Sequence, residues 1–152
     1  MFTNAETYLA IAKAALLASQ TESARRTRNS DGAVIVEYDR EQSSFKQSLI
    51  AIVFAAVYLE SLLYREGRRR LGQAYRDGAS YEAKVNALGI VDEEVLAGCE
   101  RLRNVRKGIV HEKAAAAADV GKFVPAQQEA AAAVALVERI SVLLGPSGND
   151  AA

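Results

Sequence analysis

The chain has 152 residues, half of them apolar and a quarter charged, and its 19 basic residues balance its 19 acidic ones. This length and composition predict one soluble globular domain that buries a core of its own. Because the charges cancel, a general attraction to nucleic acid is excluded, and any such affinity has to come from local clusters of positive charge.

The apolar segments and the single cysteine predict a cytoplasmic protein that does not enter a membrane. The Ala/Leu-rich run up to Ala18 contains Glu6 before any basic residue, so it lacks the positive start of a secretory signal. The most apolar run, Leu49 to Leu59, has eleven residues and ends at Glu60, whereas a helix that spans a bilayer needs about 20. Cys99 falls on an apolar helical stripe, which predicts a buried thiol in a reducing compartment.

The first helix is predicted to run from a capping box, formed by Thr3 and Glu6, to about Arg25. Three arginines, Arg25, Arg26 and Arg28, lie at its end. These side chains either oppose the negative end of the helix dipole or contact RNA. The residues alone allow both interpretations.

A segment rich in β-branched residues, 33–38, follows turn-forming residues at 29–32. It is short enough for a strand, but the chain offers no obvious partner strand. We therefore predict an ordered loop that lies on the helices. The alternative is pairing with a copy of itself or with another chain, because a lone strand leaves its backbone groups unsatisfied.

The second helix is predicted to begin at Ser43 or Ser44 and to be apolar nearly all round from Leu49 to Tyr64, which places it at the centre of the fold. Glu60 is the acid within this stretch. Burying a carboxylate costs free energy unless it finds a cation or hydrogen-bond donors, and Arg106 is the candidate partner. The alternative is that Glu60 lies at the rim and is solvated.

The end of the second helix carries the densest basic patch, with four arginines in six positions: Arg65, Arg68, Arg69 and Arg70. This patch is either a solvated helix end that complements the dipole or a track for the phosphate backbone of RNA. Together with Arg103 on a later helix, these four arginines are the predicted RNA-binding residues.

Three further helices are indicated by their end signals. Ser80 and Gly89 bound a short helix, and Asp92 starts the next. Pro125 at a first helical position opens the last helix, which Gly145 and the following proline close. The predicted fold is all-α, an up-and-down bundle of about five helices in a single domain over residues 1–146, with a disordered tail at 147–152.

The only histidine, His111, follows Arg106 by five positions. Histidine is the usual general acid or base near neutral pH, and arginine suits a phosphodiester. In an ideal helix the two positions differ by about 140° around the axis, so they do not converge on one face. Either a kink at Gly108 reorients the helix, or each site borrows a residue across a dimer interface.

The spacing Arg106-x4-His111, preceded by an amphipathic helix and followed by Glu112, resembles the Arg-x4-6-His motif of HEPN domains, a family of small all-helical proteins. The helices Leu49 to Tyr64, Tyr81 to Ile90 and Asp92 to His111 follow the order found in that family. The resemblance covers most of the chain. It implies a helical bundle that forms a homodimer and brings two such motifs into one cleft.

The same resemblance implies a metal-independent endoribonuclease, of a toxin, defence or stress type, that needs no cofactor and has no metal site. His111 would be the general acid or base and Arg106 would hold the scissile phosphate, giving a 2′,3′-cyclic phosphate end. Lys107 and Glu60 would support the site, although family members usually have Asn, Asp or His in place of Lys107. RNA, a second copy of the chain and possible protein partners such as an antitoxin are the expected partners.

Besides Lys107, one more residue limits what the resemblance carries over. Lys113 stands where members silenced by nucleotidylation have a tyrosine, so that regulation is not implied. The alternative function is a non-catalytic HEPN-like module that binds RNA or another protein.

Overall fold

Five α-helices pack as a bundle in the computed structural model, which describes residues 4–23, 26–28, 34–36, 43–111 and 123–145. The helices are α1 (Ala5–Ser23), α2 (Ser43–Leu71), α3 (Tyr81–Ala87), α4 (Glu93–His111) and α5 (Phe123–Leu144), and a 3₁₀ turn over Gly72–Ala74 follows α2. Two short strands, β1 (Arg26–Arg28) and β2 (Val34–Val36), lie between α1 and α2. The predicted all-α bundle of five helices is confirmed.

The long helix α2 forms the centre of the bundle, as its nearly continuous apolar surface predicts. It has 29 residues, packs against α1 and α5 over most of its length, and also contacts α3 and α4. Ile52, Leu59 and Leu63 are fully buried. The facing helices supply small residues, such as Ala12 of α1 and Ala130 of α5, which let the backbones approach closely.

A cluster of three hydroxyl groups interrupts the apolar contact between α1 and α2. The Oγ atom of Ser19 lies 2.7 Å from that of Ser48 and 3.2 Å from that of Ser44, and it donates to the Ser44 carbonyl at 2.9 Å. All three side chains are buried. Because each hydroxyl has a partner, the cluster fixes the register of the two helices without leaving a buried polar group unpaired.

The helix ends around α3 and α4 agree with the predicted signals. The Ser80 hydroxyl accepts from the Ala83 N–H at 3.3 Å, and Asp92 Oδ1 accepts from the N–H groups of Glu94 and Val95. Gly89 closes α3 with φ near 90°, a conformation that favours glycine. The backbone therefore turns sharply between α3 and α4, so that these two helices pack side by side.

Other helix bounds differ by a few residues from the prediction. The first helix ends at Ser23 rather than near Arg25, and α5 begins at Phe123, two residues before Pro125. Gly145, with φ near 76°, ends α5 as predicted. The predicted cap at Thr3, the turn at 29–32 and the tail at 147–152 lie outside the described residues.

The segment predicted as a loop instead forms a strand, with a partner in the same chain. β2 pairs antiparallel with β1, and the Cα positions of Thr27 and Ile35 face each other. The prediction of a loop was wrong because Arg26–Arg28 were assigned to a helix end. A three-residue strand with two arginines has no hydrophobic alternation that would have shown the pairing.

Two further predictions concern the thiol of Cys99, expected to be buried, and the apolar run of α2, expected to be too short to span a membrane. Cys99 is fully buried, as predicted, and burial raises the pKa of its thiol to about 12, which makes it a poor nucleophile. Within the described residues, one helical stretch, 43–74, is long and apolar enough to cross a membrane by length and composition alone. Half of its most apolar window is buried inside the bundle.

Candidate functional site

Three side chains from three helices meet around Glu60. The Tyr81 hydroxyl, at the start of α3, donates to Glu60 Oε1 at 2.8 Å. Nη1 of Arg106, on α4, donates to the same carboxylate oxygen and also to the Tyr81 oxygen, the latter at 2.9 Å. The predicted pairing of Glu60 with Arg106 is therefore observed.

The cluster of Glu60, Tyr81 and Arg106 lies at the edge of the core. Tyr81 is buried, whereas the side chains of Glu60 and Arg106 are 40% and 33% exposed. Burial, followed by the hydrogen bond to Glu60, raises the pKa of Tyr81 to about 12, so the hydroxyl keeps its proton. Burial alone would lower the pKa of Arg106, but the neighbouring Tyr81 and Glu60 outweigh it and raise that pKa. The guanidinium stays charged.

Only one of the three guanidinium nitrogens of Arg106 is held by these bonds. Within the described part of the chain, its Nε and Nη2 atoms have no hydrogen-bond partner, and neither atom is buried. A guanidinium fixed at one corner and open to solvent at the others can offer two parallel N–H donors to a phosphate. The arrangement therefore fixes the position of Arg106 and leaves Nε and Nη2 able to donate hydrogen bonds to a ligand.

Two more basic residues follow the same side of α4. Lys107 is exposed and makes no ion pair with a described residue, so its charge is available. Arg103, one turn before, is instead bonded to Glu82 Oε1 at 3.1 Å. Burial tends to raise the pKa of Glu82, but hydrogen bonds from its backbone, Ser80 and Arg103 hold it below its ordinary value. Arg103 therefore ties α4 to α3.

The position of His111 depends on the shape of α4. The α-helical assignment is continuous from Glu93 through Gly108 to His111, so no break in the helix separates Arg106 from His111. The backbone positions of Arg106 and His111 consequently remain about 140° apart around one helix axis. The side chain of His111 lies outside the described part of the structure.

The arginine patch at the end of α2 is organised by an acid that the sequence analysis missed. Glu66 is 1% exposed, and its Oε2 accepts from Arg69 Nη2 at 2.6 Å and from Arg70 Nε at 3.2 Å. Arg65 Nε lies 3.5 Å from the other carboxylate oxygen. Arg70 also donates to the carbonyl of Leu144, the last residue of α5. Three of the four predicted RNA-binding arginines of this patch thus surround a buried acid, and one of them, Arg70, also joins the end of α2 to the end of α5.

The fourth arginine, Arg68, has different surroundings. Its guanidinium carbon lies 5.5 Å from the ring centroid of Tyr64 and 6.0 Å from that of Tyr75, and the two rings meet edge to face. Lys84 Nζ also lies 5.8 Å from the ring centroid of Tyr75. A Cβ atom on Gly67 would lie 2.2 Å from that ring, so glycine is required for it to pack on α2.

Neither Tyr81 nor the aromatic cluster was predicted. Tyr81 reaches Glu60 across 21 positions and Arg106 across 25, and a hydrophobic pattern gives no signal for such a bond. Glu66 sits four positions before Arg70 and three before Arg69, which was a readable signal for local ion pairing. No group of three or more His, Cys, Asp or Glu side chains in the described ranges is arranged to hold a metal ion.

Comparisons with protein-family models, with curated proteins and with solved structures give no match to this chain. The chemistry of the site therefore rests on the side chains themselves. Together they provide a fixed, charged and partly exposed arginine beside a free lysine, near the end of the helix that carries the only histidine.

Proposed function

We propose that the protein is a metal-independent endoribonuclease of the HEPN type, in which Arg106 binds the scissile phosphate and His111 transfers protons. The observation that carries this proposal is the anchoring of Arg106 by Glu60 and Tyr81, which leaves Nε and Nη2 open to solvent. Lys107, one residue further, adds a second positive charge without a carboxylate partner among the described residues. The five-helix bundle is of the kind expected for an up-and-down HEPN-like domain.

The reaction needs no metal ion because RNA supplies its own nucleophile. The 2′-hydroxyl attacks the neighbouring phosphorus, so a bond from O2′ to phosphorus forms while the bond from phosphorus to O5′ breaks. The proton of the 2′-hydroxyl passes to a base, and the departing oxygen receives a proton from an acid. The products are a 2′,3′-cyclic phosphate and a 5′-hydroxyl end. Arg106 stabilises the negative charge that grows on the phosphate oxygens.

A second copy of the chain completes this site. Because α4 is a continuous helix through Gly108, the backbone positions of Arg106 and His111 on one protomer lie on different faces. In a homodimer built on α4, a phosphate held by Arg106 of one protomer can meet the histidine of the other. Light scattering at micromolar concentration is expected to give twice the mass of one chain. A mass of one chain would contradict the shared site.

The second candidate function is a module that binds RNA or a protein partner without cleaving RNA. The bond network of Glu60, Tyr81 and Arg106 favours it, because joining three helices explains the position of Arg106 without any catalytic role. The two functions differ in whether His111 takes part. An assay of cleavage therefore separates them.

The decisive assay incubates the purified protein with mixed RNA in excess EDTA. We expect wild type to give fragments with cyclic phosphate ends. His111→Ala should lower the rate by about 10²- to 10⁴-fold while the protein stays folded. Arg106→Lys should also lower it, because a lysine cannot offer the planar pair of donors.

Arg101→Lys is the matched control, because Arg101 lies on the same helix, is 60% exposed and pairs with Glu129 on α5. It should cleave RNA like wild type. If wild type and His111→Ala cut equally, the activity belongs to a contaminant and the binding module remains. If neither protein binds or cuts RNA, both proposed functions fail for RNA.

A further inference from the structure

A surface of α2 that includes Tyr64 and Arg68 begins at Glu60, the residue bonded to Arg106. Glu60, Tyr64 and Arg68 follow one another at intervals of four residues, so they lie on one face of the helix. The distance from Glu60 to Arg68 along the axis is about 12 Å. At about 3.4 Å per stacked nucleotide, this corresponds to three or four nucleotides of a single strand.

The side chains of this surface are those that bind single-stranded nucleic acid. Tyr64 is 38% exposed, although it is a large aromatic residue, and its edge-to-face contact with Tyr75 fixes the ring at a centroid distance of 6.1 Å. Aromatic rings and arginine guanidinium groups both stack on bases, and they do so with little dependence on base identity. The surface therefore combines a base platform with a cation for the backbone.

Arg68 is distinguished from its neighbours by its lack of a carboxylate. Arg65, Arg69 and Arg70 all pair with Glu66, but no carboxylate of a described residue lies within ion-pair distance of Arg68. Its charge is exposed and is oriented only by the two tyrosine rings. Among the four arginines at the end of α2, Arg68 is therefore the one whose charge is available to a ligand, and its guanidinium contacts the rings of Tyr64 and Tyr75.

Tyr75 supports the ring of Tyr64 from inside the fold. Tyr75 is only 6% exposed, and its hydroxyl has no hydrogen-bond partner among the described residues. The ring is therefore held by packing against Gly67 and Tyr64 rather than by a hydrogen bond of its hydroxyl. Lys84, itself 8% exposed, lies against the same ring and pairs with Asp77 at 3.5 Å, so it helps to hold the ring and is not a second free cation.

We propose that Tyr64 and Arg68, backed by Tyr75, form a subsite that stacks a base of the single-stranded RNA whose phosphate Arg106 holds. This inference rests on the proposed RNA-directed function and names the form of RNA that the site accepts. It predicts that single strands are preferred to duplexes, because a paired base cannot leave its stack for the tyrosine without an energetic cost.

The test measures binding in the His111→Ala protein, so that the probe is not cut. The probe is a fluorescent single-stranded RNA of mixed sequence, about eight nucleotides long, and its partner is an abasic strand of the same length. Tyr64→Leu keeps apolar bulk against Tyr75 but removes the ring. It should weaken binding of the RNA by about 5- to 150-fold and leave the abasic strand unchanged.

Two further variants separate stacking from structure. Tyr64→Phe keeps the ring and should restore binding of the RNA. Tyr8→Leu is the matched control, because Tyr8 makes a similar ring contact with Phe54 on another part of the bundle and should not affect binding. The chain has six tyrosines and no tryptophan, so quenching of tyrosine emission by the RNA, lost in Tyr64→Phe, reports the stacking directly.

The outcomes for the subsite and for the enzyme are distinct. The subsite is overturned if Tyr64→Leu weakens both probes equally, or neither, while wild type still cleaves RNA. The enzyme is overturned, and the subsite retained, if binding depends on the ring of Tyr64 but wild type never cleaves. If the protein binds neither probe, the subsite is overturned, and the tyrosines and Arg68 serve the fold alone.

Discussion

Glu60 and Glu66 lie on the same helix, both accept hydrogen bonds from arginine, and they differ in exposure. Glu66 is 1% exposed and gathers three arginines, whereas Glu60 is 40% exposed and shares one arginine with a tyrosine. A buried carboxylate needs several donors to offset the loss of water, and its partners are then committed to the fold. A carboxylate at the rim needs fewer, so Arg106 keeps donors for a ligand.

The largest expected loss of stability comes from replacing a buried apolar residue of α2. Leu59 precedes Glu60 and is fully buried. Leu59→Ala should lower the free energy of unfolding by about 2 to 5 kcal/mol, through lost apolar burial and the cavity left behind. Urea denaturation followed by circular dichroism measures it. A loss below about 0.5 kcal/mol would mean that α2 is not the centre of the core.

Replacing the buried acid should come next. Glu66→Gln removes the charge that three arginines share, and we expect a loss of about 2 to 4 kcal/mol in the free energy of unfolding. Glu138→Gln is the control, because Glu138 makes a single exposed pair with Lys13 and should change stability little. Equal effects of the two variants would remove the distinction between buried and exposed acids.

The raised pKa of Tyr81 predicts how stability changes at alkaline pH. Its pKa in the folded protein, about 12, exceeds the ordinary value of 10.0, so the folded state keeps a proton that the unfolded state loses. The stabilisation is complete below pH 10 and is lost as the pH rises toward 12, by at most about 3 kcal/mol.

Tyr81→Phe should therefore make the decline between pH 10 and 12 shallower. A decline should remain, because burial, with nearby Asp77, raises the pKa of Tyr75 to about 12 as well. Thermal unfolding at several pH values compares the variant with wild type. Identical slopes would show that Tyr81 is not buried against Glu60.

The smallest effect on stability is expected at the exposed acid. Glu60→Gln should cost less than about 1 kcal/mol, because a pair at the rim contributes little in water. The same urea denaturation measures the change. A loss as large as that of Glu66→Gln would show that Arg106 also belongs to the fold, and the argument for a ligand at its free nitrogens would fail.

Much of the fold was predictable, because hydrophobic periodicity and end signals are local. The central place of α2 followed from its apolar surface, and Ser80, Gly89 and Asp92 marked the helix ends around α3. The hairpin of β1 and β2 was missed because three-residue strands carry too little pattern to compete with an arginine-rich helix end.

The candidate site was predictable only in part. Glu60 and Arg106 were paired by charge and by their place on apolar stripes, and this pairing is observed. Tyr81 was not predicted, since its hydroxyl reaches both residues through the tertiary fold. In the basic patch, the spacing from Glu66 indicated ion pairs with Arg69 and Arg70 but not with Arg68, and only the structure shows that Glu66 is buried and also lies near Arg65.

The order in which the helices are synthesised has a consequence for folding in the cell. The apolar surface of α2 faces α1 on one side, which is made first, and α5 on the other, which is made last of the five helices. Until residues 123–144 have left the ribosome, the part of α2 that packs against α5 has no partner. Its most apolar window resembles a membrane helix in composition. The nascent chain therefore exposes an apolar face of α2 until α5 has been synthesised, and in that interval this face is open to chaperones.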